Sequence, residues 1–77
     1  MKKLYFTVQT DTYPNGRFSG LKLIKLYQII FNQPKLMGSV KILEDVNGNT
    51  ALPVELEIQM WLENNGYEDE MFKFIKL

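Results

Sequence analysis

The chain has 77 residues, nine Lys or Arg against nine Asp or Glu, and neither cysteine nor histidine. That length permits one domain, which buries only about 60% of the surface its unfolded chain would expose. The missing residue types exclude disulfide staples, imidazole bases, Ser–His and Cys–His nucleophiles and the usual zinc spacings.

Lys3–Thr10 alternates, with Leu4, Phe6 and Val8 on one side and Lys3, Tyr5, Thr7 and Gln9 on the other, and so predicts a half-buried strand. The apolar run after Lys3 gives way to polar residues too early for a secretory signal. No stretch approaches the roughly 20 apolar residues of a membrane span, so a cytoplasmic protein is expected. Pro14 suits the second position of a turn and Gly16 a left-handed residue.

Between Leu21 and Phe31 the residues Leu23, Leu26, Tyr27 and Ile30 recur at helical spacing, joined by Ile24 and Phe31. Lys22, Lys25, Gln28 and Asn32 fall on the opposite arc, Ser19 can cap the start, and Pro34 forbids continuation. The spacing predicts a helix. The competing reading is a strand hairpinned to the first about Pro14–Gly16, because the run is rich in β-formers and its lysines oppose the helix dipole.

Ser39–Asp45 predicts a short strand with Val40, Ile42 and Glu44 on one face, ended by Asn47-Gly48. A hairpin there would allow a further short strand at Asn49–Leu52. Residues 54–64 obey two grammars. Val54, Leu56, Ile58 and Met60 alternate as in a strand, whereas Val54, Ile58, Trp61 and Leu62 form a helical stripe. Pro53 at the helix start, Glu55 and Glu57 in the first turn, and Asn65-Gly66 at the end favour the helix. Met71–Leu77 predicts a strand with Phe72 and Phe74 together. The expected architecture is α+β (or small α/β), a single compact domain over 1–77. It has three to four strands with two helices packed on one face, in the order β-α-β-(β)-α-β.

Charge is divided along the chain. Up to Lys41, the basic residues Lys2, Lys3, Arg17, Lys22, Lys25, Lys35 and Lys41 face Asp11 alone. Beyond it, Lys73 and Lys76 face Glu44, Asp45, Glu55, Glu57, Glu63, Glu68, Asp69 and Glu70. The chemistry-bearing patterns are few. Asp45-Val46-Asn47-Gly48-Asn49 begins like a calcium loop but has Thr50 where glycine is needed and Leu56 where the bidentate glutamate is needed, so it reads as a turn. Glu68-Asp69-Glu70 reads as a solvated loop rather than a magnesium site. No phosphate-binding glycine motif is present. No catalytic, metal or cofactor-binding residue is therefore expected, and the chain reads as a non-enzyme.

Two surfaces remain. Lys22, Lys25, Trp61, Tyr67, Glu68, Asp69 and Glu70 are candidate protein contacts, through basic and acidic faces that could meet in a homodimer and through aromatic hot-spot residues. Lys2, Lys3, Arg17, Lys22, Lys25 and Lys35 are candidate nucleic-acid contacts, with Tyr5, Tyr13 and Phe18 as stacking surfaces. A single arginine and an isoelectric point near 6.2 weigh against the second. The expected function is protein–protein interaction, with nucleic-acid regulation as an alternative. A further alternative is inhibition of a host protein by a phage or mobile-element product, suggested by small size and a Lys-, Asn- and Ile-leaning composition typical of AT-rich bacterial or phage genomes.

Overall fold

Three long strands precede one helix and a short final strand: β1 (Lys2–Thr12), β2 (Phe18–Ile30), β3 (Gln33–Leu43), α1 (Val54–Asn64) and β4 (Phe72–Lys76). The computed structural model describes all residues, 1–77. The strands form one mixed sheet in the order β3-β2-β1-β4, with β1 antiparallel to β2 and parallel to β4. This is a small α+β domain with one helix, not two, in the order β-β-β-α-β.

The expected helix over 21–31 is β2, the longest strand. A nearly continuous apolar run satisfies both periods, and pairing decides between them. β1 and β3 flank β2 on both sides, so the sheet supplies the backbone partners that a helix would have supplied internally. In the strand, Ile24 and Leu26 turn into the core while Leu23, Lys25 and Tyr27 turn away. Ser19 caps no helix. Its hydroxyl donates to the Asp11 carbonyl at 2.9 Å, pinning an irregularity in the β1–β2 ladder. The turn before it is as expected: Gly16 is left-handed and donates to the Tyr13 carbonyl.

β3 is longer than the expected strand and includes Pro34, which an edge strand tolerates because one row of its backbone groups faces solvent. Met37 is an extra residue between the Leu26–Gly38 and Tyr27–Leu36 pairs. The proposed strand at Asn49–Leu52 reduces to a single bridge, Glu44 to Thr50. In that turn the Asp45 carboxylate accepts the Asn47 and Asn49 backbone N–H groups at 2.8 and 2.9 Å.

Helix α1 forms where its stripe predicts. Ile58 and Leu62 are fully buried against Leu4, Phe6, Ile24, Leu26 and Ile42, with Val54 and Trp61 alongside. Burying a side chain of that size contributes about 1.5–3 kcal/mol. The helix ends at Asn65-Gly66, Gly66 being left-handed and the Tyr67 N–H reaching the Leu62 carbonyl at 2.9 Å. Only one broad face of the sheet is covered. The other is open.

Candidate functional site

Sheet parity sorts the side chains. On β1 and β2 the even-numbered residues Leu4, Phe6, Ile24 and Leu26 fill the core, so Lys3, Tyr5, Thr7, Lys25, Tyr27 and Ile29 line the open face. Past the Met37 bulge, Ser39 and Lys41 join them from β3. Lys73 and Ile75 join them from β4. Four residues make a row across all the strands: Leu36, Tyr27, Tyr5 and Ile75. On one side of the row Lys3 stands directly beside Lys73. On the other, Lys25 lies between Thr7 and Ser39.

A second feature is the β2–β3 turn. Ile30 pairs with Gln33, leaving a two-residue loop in which Phe31 (φ 51°) and Asn32 (φ 63°) are both left-handed. This is the type I′ geometry that favours Asn-Gly, and a phenylalanine in its first position is strained. Phe31 is nevertheless 96% exposed. Ile29, Ile30, Leu36 and Met1 are also exposed around it, with Leu36 at 56%. A shallow recess of about 370 Å³ links this tip to the open face; Met1, Lys3, Tyr5, Gln28, Ile29 and Ile30 line most of it. No acidic residue occurs between Ser19 and Leu43.

The residues singled out from sequence are dispersed. Lys22 and Lys25, expected to share a helix face, sit on opposite faces of β2. Lys25 is on the open face, while Lys22 points to the helix side, 3.5 Å from the buried Glu44 carboxylate, and donates to the Gly48 carbonyl. Trp61 and Tyr67 stack with centroids 6.1 Å apart, and Tyr67 meets Phe72 edge-on, so both border the core. Gly38 is the floor beneath Trp61; a Cβ there would overlap its ring. Glu68, Asp69 and Glu70 lie between α1 and β4, with Glu70 paired to Lys2 at 2.6 Å. Arg17 and Tyr13 belong to the β1–β2 turn, remote along β2 from the tip. Of the nucleic-acid candidates, Lys3 and Lys25 share the open face, whereas Lys2 and Lys22 lie on the helix side.

Three ion pairs form: Lys2–Glu70, Lys22–Glu44 and Lys41–Asp11. Lys3, Lys25 and Lys73 have no carboxylate partner. The tip, Lys41 and Lys73 escaped sequence reasoning as site residues because 21–31 read as a helix. In a strand, Phe31-Asn32 is a turn, and Lys41 and Lys73 become neighbours of Lys25 and Lys3. No family model matches the chain, and no curated protein or solved structure matches it either.

Proposed function

We propose that this protein is a non-enzymatic docking module that engages a protein partner through the β2–β3 tip. The observation that carries the reading is Phe31, an almost fully exposed aromatic held in a backbone conformation that disfavours it. Strain of this kind costs on the order of 1 kcal/mol, and exposed apolar surface adds an aggregation liability. Both costs are offset when the ring is an anchor: a rigid turn presents it with little entropy left to lose, and the exposed Ile29 and Ile30 just before it, with Leu36 further along β3, add apolar area.

Charge narrows the partner. The β2–β3 hairpin has no acid between Ser19 and Leu43, Lys3 and Lys35 near its tip are unpaired, and Glu70 at that end of the sheet is engaged by Lys2, so two copies meeting tip to tip would bring like charges together. The fitting partner is a different protein with an apolar cleft and an acidic rim.

The test replaces Phe31 with the larger photoreactive residue p-benzoylphenylalanine, which its exposed position accommodates, in cells that naturally make the protein. Irradiation is expected to yield one discrete protein adduct, identified by mass spectrometry and lost when Ile30→Asp is added. Adducts only with lipid, or none above those of an exposed α1 position such as Glu63, would overturn the reading.

A further inference from the structure

We infer that the open face of the sheet is a binding site for single-stranded nucleic acid. This site adjoins the tip, with Lys3 and Ile29 at the boundary, and rests on different observations. The first is the placement of charge. Lys3 and Lys73 are direct neighbours on paired strands, and neither has a carboxylate to relieve it. Like charges in that position oppose strand pairing, a cost that a bound anion removes. Lys25 is also unpaired and flanked across the sheet by Thr7 and Ser39, whose hydroxyls can donate to the same anion.

The second observation is what separates these two cationic positions. Tyr5 and Tyr27 lie side by side between them. At about 3.3 Å per residue along a strand, the Lys3–Lys73 pair and Lys25 stand roughly 13 Å apart, with the tyrosine row midway. A flexible polyanion carrying flat rings meets that arrangement: phosphates reach the lysines on either side, and unpaired bases lie on the tyrosines. A duplex does not, because its bases are already stacked and the face has no protruding helix or ribbon to enter a groove. The low isoelectric point is no obstacle, since the surface acids of α1 and the α1–β4 loop lie on the other side of the sheet or beyond its edge.

Fluorescence anisotropy with labelled 15-nucleotide pyrimidine single strands, and with the same sequence as a duplex, tests this. The single strand is expected to bind more tightly than the duplex. The log–log salt slope should approach −2, about 0.7 for each of three lysines, and shrink by about 0.7 for Lys25→Gln or Lys73→Gln, which are surface changes that preserve the fold. Tyr27→Leu should weaken binding about tenfold at unchanged slope, and Tyr27→Phe should retain it. No binding at 50 mM salt, or equal binding of duplex, overturns the inference. So does a result in which poly-glutamate competes equally and the tyrosine changes are silent, which would mark the face as a site for acidic protein. None of these outcomes bears on the photocrosslink at Phe31.

Discussion

Glu44 is the most costly side chain in the molecule to keep where it is. Its side chain is 1% exposed, neither carboxylate oxygen accepts a hydrogen bond, and its one source of compensation is the Lys22 ammonium 3.5 Å away. A buried carboxylate stripped of its partner costs about 3–5 kcal/mol, whereas replacing both charges with apolar groups of similar volume is often neutral or better. Lys22→Met is therefore expected to lower the urea midpoint sharply. Adding Glu44→Leu should restore it, and equal losses in the single and double variants would refute the pairing argument. Asp45, next along the chain, behaves differently because it is exposed. The Asn49 backbone N–H, then that of Asn47, holds its carboxylate below the ordinary aspartate value of 3.8. A group whose folded pKa is depressed stabilises the fold above its unfolded pKa and loses that contribution as pH falls through the lower folded value. The turn should thus hold at neutral pH and loosen only below about pH 4. NMR titration should place the Asp45 midpoint under 3.8, and Asp45→Asn should flatten the acid limb of stability.

Among the elements, the two-residue β2–β3 turn sets stability against binding. Phe31→Asn with Asn32→Gly installs the pair that type I′ geometry prefers. Relief of about 1 kcal/mol of strain raises Tm by about 4–8 °C in a domain of this size. The same variant should lose the partner adduct, so higher Tm with retained docking would separate strain from function. This turn also marks where the sequence became illegible. β1 and β4 could be read because each carries one clean signal, alternation at Leu4–Phe6–Val8 and the Phe72–Phe74 pair. Residues 54–64 obey two grammars, and the end signals Pro53, Glu55, Glu57 and Asn65-Gly66 favour the helix that forms. β2 also carries two. Leu21, Leu23, Ile24, Leu26, Tyr27 and Ile30 fit a helical stripe as well as a strand that is apolar on both faces, and local sequence cannot report that two other strands will flank it. The error propagated to the site. With β2 taken as a helix, Lys22 and Lys25 shared a face, Phe31 was a terminal core residue, and nothing connected Lys3 with Lys73. Those two are separated by most of the chain and become neighbours only through the parallel pairing of β1 with β4.

At the scale of the whole molecule, the division of charge along the chain becomes a division between sides. The body is a slab of 37 × 25 × 18 Å, its thickness that of one sheet and one helix. One broad side carries Lys3, Lys25, Lys41 and Lys73 with Asp11 the lone acid among them. The other carries Glu55 and Glu63 exposed on α1, with Glu68 and Asp69 on the loop that follows. Of its lysines, Lys2 and Lys22 are taken up by Glu70 and Glu44, and the register adds Lys35 and Lys76. Complementary faces that point in opposite directions do not build a closed dimer. A twofold axis presents the same patch of both copies to the contact, which here would set lysines against lysines or acids against acids. Basic face to acidic face is instead a head-to-tail contact that leaves a free face of each sign and propagates. Such pairs are solvent-exposed, worth about 0–1 kcal/mol each, and screened beyond roughly 10 Å at 0.1 M salt. Light scattering at about 10 mM salt, where screening is weak, should therefore show average mass climbing with concentration without a plateau at the dimer. At about 0.5 M salt it should fall to the 9.0 kDa monomer. A dimer plateau that survives high salt would require an apolar, self-complementary contact instead, such as one made through the Phe31 tip.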